Sequence, residues 1–354
     1  MSADIVALGS TDHRFPWKWY LRDIEKVPKN GRTVFSTFSC GGGSSMGYKL
    51  AGYTVLGNVE IDPEMEAVYQ ENHHPRFSYE MDIRDFNRME EYPPELKDLD
   101  ILDGSPPCSV FSTSGGREKG WNVEKVFREG QKKQRLDDLF FAYVETAKKL
   151  QPKIVIAENV EGLIKAAARG YVNEILAEFK AANYEMQIFL LDAQTMGVPQ
   201  RRRRIFFIGH RRDLELPKLK IDINEQPITF GEVRTESGVP YKDGSVMAEM
   251  IKRRRKGDTS LVDISKRERG KVAGFDAKFG IDERVAPTST AGGTFSRFCD
   301  GMKYSDDDWR NVQTFPQDYN FLNLSPQYIC GMSVPPVMMA QISTQVKEQW
   351  LDLL

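Results

Sequence analysis

A cysteine placed directly after two prolines is the residue of this chain best set to act as a nucleophile. Cys108 stands in Asp103-Gly104-Ser105-Pro106-Pro107-Cys108-Ser109, with Phe111-Ser112 just behind it. Each proline fixes φ and removes an N–H, so neither strand nor helix continues through the pair. The preceding run, Leu99-Asp100-Ile101-Leu102, reads as the end of a buried strand. Cys108 is therefore expected on a stiff loop at a strand's carboxyl end, the edge where open α/β sheets bind ligands. Gly104-Ser105 before the prolines and the serines after them leave room for a flat substrate and supply hydroxyls. A thiolate there could act as a nucleophile. Burial as an inert thiol is the commoner state of an isolated cysteine, but the Pro-Pro-Cys setting is too constrained for it.

Two further stretches carry groups that such chemistry needs. Lys153-Ile154-Val155-Ile156-Ala157 is a buried strand that delivers Glu158-Asn159-Val160 at its carboxyl end. An acid there should be desolvated, which favours its protonated form; capping the following helix is the alternative. Gln200-Arg201-Arg202-Arg203-Arg204 runs straight into Ile205-Phe206-Phe207-Ile208. In a strand Gln200, Arg202 and Arg204 would share one face. Guanidinium groups on alternate positions suit carbonyl and phosphate oxygens, and a solvated charge run fits poorly beside so apolar a strand.

The elements that must position these groups alternate along the chain. Thr33-Val34-Phe35-Ser36-Thr37-Phe38 is a strand by its β-branched and aromatic content. It enters Ser39-Cys40-Gly41-Gly42-Gly43-Ser44-Ser45-Met46-Gly47, a glycine-rich turn opening a helix through Tyr48 to Ala51, where backbone approaches a nucleotide-like ligand closely. A second strand, Val55-Leu56-Gly57-Asn58-Val59-Glu60, ends in an acid about twenty positions on, where a ribose hydroxyl is expected. Asp62-Pro63 caps the next helix. A third strand near residues 77–81 ends at Asp82-Ile83. Leu136, Leu139, Phe140, Tyr143, Val144, Ala147 and Leu150 recur at helical spacing, a second amphipathic helix covers 171–179, and a further strand covers 184–191. Strand and helix at this spacing argue a doubly wound, mostly parallel sheet.

The whole chain of 354 residues carries a formal charge of -2, yet its basic residues cluster. Residues 111–135 hold seven Lys/Arg against three acids, 201–212 hold six against none, and 252–271 hold nine against three. Three basic segments on a neutral chain suggest a polyanion-binding face. The four cysteines, Cys40, Cys108, Cys299 and Cys330, contain no Cys-x-x-Cys pair, and with four histidines they make a structural zinc site an unfavoured reading. No secretory signal or bilayer-spanning apolar run is evident, so a soluble protein of a reducing compartment is expected.

Taken in order, these stretches resemble the C5-cytosine DNA methyltransferases, over nearly all of the chain except the first thirty residues and roughly 215–285. Phe38 through Gly47 resembles the cofactor-binding glycine turn, with Gly41, Gly42 and Gly43 among its glycines. Glu60 with Ile61 resembles the acid that binds the ribose of S-adenosylmethionine, and Asp82-Ile83 the pair that holds its adenine. Pro107-Cys108 matches the nucleophile motif, Glu158-Asn159-Val160 the ENV motif and Gln200-x-Arg202-x-Arg204 the QxRxR motif. Residues 284–290, then Gln313-Thr314-Phe315-Pro316, then Gly331-Met332-Ser333-Val334-Pro335, look like the closing motifs. There are departures. Cys40 replaces the first glycine of the turn, Ser36 an acid and Met332 an asparagine; Asp308 and Asn311 replace a glutamate and an arginine; Arg135 lies one residue further from Leu139-Phe140 than the pattern has it.

The resemblance implies an S-adenosylmethionine-dependent enzyme that flips a cytosine from double-stranded DNA, adds Cys108 to C6 and methylates C5. Glu158 would serve N3, and Arg202 or Arg204 the base O2. The implied fold is α/β, a doubly wound Rossmann-like methyltransferase sheet with a smaller inserted target-recognition domain. We expect a large domain at 1–229 (an extension at 1–31 included), the insert at 230–305, and a return to the large domain at 306–354. DNA contacts are expected from Ser112, Arg117, Lys119, Gln200, Arg253, Arg254, Arg255 and Lys266, and Ser333 is expected at the cofactor. A cytoplasmic monomer without metal or membrane partner is expected, of bacterial or phage origin. A tRNA cytosine-5 methyltransferase of the same architecture and a non-catalytic DNA-binding relative remain open. A nicotinamide dehydrogenase would leave Pro107-Cys108 and the arginine run unused.

Overall fold

The computed structural model describes residues 13–107, 138–164, 169–272 and 276–354. The chain separates into two compact units, one made of Ile24–Asp192, Arg203–Asp222 and Met339–Leu354, the other of Ala193–Arg202, Ile223–Met338 and the described part of Met1–Asp23.

Among the described residues the larger unit is built on seven strands. They are β1 (Thr33–Thr37), β2 (Thr54–Glu60), β3 (Phe77–Glu80), β4 (Ile101–Gly104), β5 (Ile154–Val160), β6 (Tyr184–Asp192) and β7 (Arg203–Arg211). Between them lie α1 (Gly43–Leu50), α2 (Pro63–His73), the single turns α3 (Ile83–Phe86) and α4 (Pro94–Lys97), α5 (Leu139–Leu150) and α6 (Arg169–Ala181). The strand order is β3-β2-β1-β4-β5-β7-β6. The neighbours from β3 through β5 pair in parallel, and β7 runs antiparallel to both β5 and β6. The mostly parallel, doubly wound sheet read from the sequence is thus present.

Near-continuous apolar strands are what a sheet covered on both faces needs. Alternate residues sort to the two faces. Phe35, Leu102, Val155, Ala157, Ile205 and Phe207 join one core with Phe86, Phe140, Tyr143 and Phe179. On the other face Tyr48 and Tyr53 pack edge to face at 5.6 Å, and α12 (Pro336–Gln349), most of which belongs to this unit, contributes the Ser343 carbonyl that accepts from the Tyr53 hydroxyl at 2.8 Å. Trp350 just beyond it stacks edge-on against His210 at 5.0 Å. Asp62 caps α2 by accepting from the Glu64 N–H at 3.1 Å, with Pro63 in the first turn. The order reverses between β1 and β4, which sets their carboxyl ends side by side at the switch point.

The smaller unit holds α7 (Phe230–Val233), α8 (Val246–Ile251), α9 (Leu261–Arg269), the parallel pair β8 (Ala277–Gly280) and β9 (Thr294–Arg297), α10 (Asp306–Gln313) and α11 (Pro326–Met332). Met250, Ile251, Leu261, Ile264, Ala277 and Phe279 form one core. These units do not divide at 229/230 and 305/306, where the sequence suggested boundaries. Residues 306–338 group with 230–305 because α10 is tied to the insert. Buried Asp308 accepts from the Thr235 N–H at 2.7 Å and its hydroxyl at 3.0 Å, and lies 3.7 Å from buried Arg297. The N-terminal segment joins the same unit: Trp19 donates to the Thr314 carbonyl at 2.9 Å.

Candidate functional site

The glycine turn is strained in the way a close backbone approach requires. Phe38, Cys40 and Gly42 all have positive φ, at 52°, 48° and 74°. At Gly42 a Cβ would lie 2.1 Å from His73 Nε2, so the position is closed to a side chain on both counts. His73 itself stacks on Tyr69 at 4.3 Å, and burial holds its pKa well below the usual range, so it is neutral. α1 starts at once after the turn.

Glu60 closes the turn from β2. One carboxyl oxygen accepts from the Cys40 N–H at 2.8 Å, the other from Ile61 N–H at 2.9 Å and Asp62 N–H at 3.0 Å. Burial pushes its pKa up to about 7 against these bonds. Asp82 caps α3, accepting from the Arg84 N–H at 2.8 Å and pairing with the Arg84 guanidinium at 2.9 Å, and Ile83 is buried.

Beside the turn, the strand leading to the nucleophile motif is held from three sides. Tyr143 on α5 places its hydroxyl 2.8 Å from the Leu102 carbonyl and 2.9 Å from that of Ile156, reaching between β4 and β5. A Cβ on Gly104 would meet Tyr143 and the Thr37 hydroxyl, each at 2.6 Å. Asn159 donates to the Pro106 carbonyl at 3.0 Å. Pro107 is half-buried. Cys108, Ser112, Arg117 and Lys119 lie outside the described residues.

Glu158 does not stand as the lone desolvated carboxyl expected from its strand. Arg204 on β7 pairs with it at 2.9 Å, both side chains being largely buried. The register explains the meeting: Glu158 pairs with Phe206, and Arg204 is two residues along on the same face. Burial pulls the Arg204 pKa down, with Glu158 opposing.

The QxRxR residues do not share a strand face, which corrects the sequence reading. β7 begins only at Arg203, and the division between units falls just before it. Gln200 is fully buried in the smaller unit. It donates to the Val312 carbonyl at 3.0 Å and to Gln313 at 2.6 Å, and accepts from the Ser289 N–H at 2.9 Å. Arg202, also buried, donates to the carbonyls of Ser289 at 3.0 Å, Gly331 at 3.1 Å and Ser333 at 3.0 Å. The Ser333 carbonyl accepts from Gln313 as well, at 2.7 Å. Gln200 is therefore spent inside the protein rather than presented to DNA. The closing motifs converge on Gln200 and Arg202.

The basic run of the insert also divides. Arg253 and Arg255 are exposed, 3.8 and 3.7 Å from Glu268, and Lys266 is exposed. Arg254 turns inward and donates to the carbonyls of Phe298 at 2.6 Å, Cys299 at 3.1 Å and Ile251 at 3.2 Å. It is withdrawn from the expected phosphate face. Asp103, Tyr48, His73 and Tyr143 were not singled out by the sequence as site residues. Only Asp103 carried a signal, as a second acid in a strand otherwise apolar. Among the described residues no cluster of His, Cys, Asp and Glu could hold a metal ion, and no helix is long and apolar enough to cross a membrane.

The Type II methyltransferase M.NgoPII of Neisseria gonorrhoeae is 32% identical over 208 residues, 58% of this chain and 56% of that protein. M.FnuDI of Fusobacterium nucleatum is 33% identical over 183 residues, 52% of this chain and 48% of that protein. The chain thus spans about half the length of these relatives. Among solved structures, an E. coli prophage-encoded chain assigned as a DNA modification methyltransferase superposes with a TM-score of 0.65 at 17% identity, covering 90% of this chain and 99% of that one. Spodoptera frugiperda DNMT2 superposes with a TM-score of 0.58 at 18% identity, covering 89% and 99%; both likenesses speak for the fold. The model of the C-5 cytosine-specific DNA methylases matches residues 32–237, from the first strand through the arginine run, and the chain belongs to that family.

Proposed function

We propose that the chain is an S-adenosylmethionine-dependent DNA cytosine-5 methyltransferase that acts on a flipped cytosine of double-stranded DNA in the cytoplasm. The observation that carries the reading is the meeting of Glu158, Arg204 and the Asn159-held Pro106 at the carboxyl ends of β4 and β5. Cys108 follows two residues later.

The residues around the glycine turn fit the cofactor. Gly42, packed against His73, keeps the turn free of a side chain so that it offers bare backbone, and Glu60 holds the turn while retaining acceptor capacity for ribose hydroxyls. Phe38, Gly41 and Gly43 would line the cofactor side of the turn, and Ile61, Asp82 and Ile83 would face the nucleoside. Bound there, S-adenosylmethionine would supply an electrophilic methyl group.

Carbon 5 of cytosine is too poor a nucleophile to take that methyl unaided. Addition of the Cys108 thiolate to C6 makes the ring electron-rich, and the charge that develops at N3 is met by Glu158. Arg204 orients Glu158 and can steady the base O2. Arg202, bonded to three carbonyls, holds the closing motifs instead. After methyl transfer, loss of the C5 proton lets Cys108 leave and restores the ring. The base must leave the duplex to reach Cys108, as for enzymes working on bases generally. Arg253, Arg255 and Lys266, with Arg117, Lys119 and Ser112, would contact phosphates, which position without specifying sequence.

Bisulfite or nanopore sequencing of DNA from cells expressing the chain tests this reading and reports the target sequence. Cytosine-5 methylation that disappears with Cys108→Ala is expected; unmodified DNA alongside methylated tRNA would overturn the substrate.

A further inference from the structure

We propose that Asp103 is a positioning residue for methyl transfer, its carboxyl group latching the cofactor turn to the strand that delivers Cys108. The inference rests on the methyltransferase reading and adds to it a residue with no part in the chemistry described above.

Asp103 is 2% exposed, and among the described residues no basic side chain pairs with it. Its partners are hydroxyls. Ser36 on β1 donates to one carboxyl oxygen at 2.8 Å, and Tyr48 on α1 to the other at 3.2 Å. The nearby Ser44 hydroxyl, in the first turn of α1, favours the charged carboxyl, and the Asp103 carbonyl accepts from the Thr37 hydroxyl at 3.1 Å. Burying a carboxyl without a cation is costly, and an apolar residue would fill a strand position without that cost. What the carboxyl gives in return is a cross-link of three elements. Ser36 lies two residues before Phe38, Ser44 and Tyr48 belong to the helix that the turn opens, and Asp103 lies five residues before Cys108.

The register makes the cross-link specific. Ser36 and Asp103 are direct partners across the β1–β4 ladder. Ser36 is also where the resemblance expects an acid. The carboxyl has moved one strand over, onto the residue facing that position, and from there it still reaches β1 and α1. Two loops at one sheet edge, one for the donor and one for the nucleophile, are thus tied at their roots. Methyl transfer is sensitive to displacements of about 1 Å between reacting groups, so the latch should act on turnover more than on DNA capture.

The test compares the full-length wild type, D103S, S36D and the exchange S36D/D103S. Cofactor affinity is read by calorimetry, and kcat and KM by methyl transfer to duplex DNA. D103S should lose about 10-fold or more in kcat, with DNA KM held within about 2-fold. The exchange keeps the same atoms across the ladder and should recover to within about 3-fold of wild type. S36D alone, with two facing carboxyls, should be no better than D103S. A D103S enzyme with wild-type kcat and cofactor affinity overturns the proposal, and so does an exchange variant no better than D103S. Should D103S fail to fold, Tyr48→Phe removes one bond of the latch: a kcat loss of about 3-fold supports it, and wild-type kcat overturns it. Failure of the wild type to bind S-adenosylmethionine or methylate DNA would instead sink the proposed function. The latch is then read by hydrogen exchange at residues 41–43, where D103S should lose protection and the exchange variant regain it; unchanged protection in D103S overturns it.

Discussion

Arg202 and Arg204 stand two residues apart and are used in opposite ways. Around Arg202 the guanidinium reaches the carbonyls of Ser289, Gly331 and Ser333, and Gln200 and Gln313 extend the same buried network. Those bonds join backbone segments that are distant in sequence. Around Arg204 the partner is a carboxyl group, Glu158, at the carboxyl end of a parallel strand. One arginine serves interior carbonyls, one of which Gln313 also reaches; the other pairs with a carboxyl group. A single motif therefore contains one residue bonded to backbone and one paired with a carboxyl group, and the division between the compact units falls between them.

The sharpest break of this comparison is at the nucleophile. Fluorine at C5 cannot depart as a cation, so duplex DNA with 5-fluorocytosine in the target site should trap a covalent, denaturant-stable complex that depends on S-adenosylmethionine. Cys108→Ala should abolish the complex and lower methylation by more than about 10³-fold. Alanine at Cys40, Cys299 or Cys330 should leave it intact, and a C108A protein that still forms it would remove Cys108 from the mechanism.

Next in size is the contrast between the arginines. Arg204→Ala is expected to cut single-turnover methylation by about 10²-fold or more and to lower the melting temperature less than Arg202→Ala does. Arg202→Ala should destabilise by on the order of 3 kcal/mol, since several buried carbonyls lose their donor. Equal melting temperatures for the two variants would erase the distinction. Glu158→Gln should slow adduct formation without abolishing DNA binding.

A smaller effect is expected from Asp103 as pH changes. Burial raises its pKa to about 7 from an ordinary value of 3.8. The native state therefore holds a proton that the unfolded chain has released, and this contribution is full below about pH 4 and lost as pH rises through 7. Melting curves of wild type and Asp103→Asn between pH 5 and 8 should diverge by a few degrees, wild type losing ground toward pH 8. Parallel curves would mean that Asp103 is ionised throughout.

The smallest effect separates the arginines of the insert. Removing Arg253 and Arg255 together should flatten the dependence of DNA affinity on log salt by up to about 2 units, whereas Arg254→Ala should leave the slope alone and lower the melting temperature. A change of slope with Arg254→Ala would place that side chain on the phosphate face after all.

Much of the scaffold was legible because it rests on local signals. Val34-Phe35, Ile101-Leu102 and residues 154–157 announce strands, Asp62-Pro63 a helix start, and Gly41-Gly42-Gly43 a turn. What escaped was long-range pairing. The spacing of Gln200, Arg202 and Arg204 is that of a strand, yet the backbone there is fixed by Ala286, whose carbonyl accepts from the Arg201 N–H at 2.9 Å. The run Lys252-Arg253-Arg254-Arg255-Lys256 gives no local sign that its middle residue turns inward, because the carbonyls that draw it in belong largely to Phe298 and Cys299. Asp103 was read as the start of the cysteine's loop, just past a strand ending at Leu102, and only the ladder reveals Ser36 across from it.

The late position of α12 in the chain has a consequence for synthesis on the ribosome. Tyr53 and His210 are made well before the residues that cover them, Ser343 and Trp350. The Pro217 carbonyl likewise waits for the Trp350 indole, which donates to it at 2.6 Å. A nascent chain halted between residues 211 and 339 would carry all the strands of the main sheet with that part of one face bare. Such an intermediate is a natural client for a holdase. Its release from one should coincide with emergence of the last helix rather than with completion of the sheet.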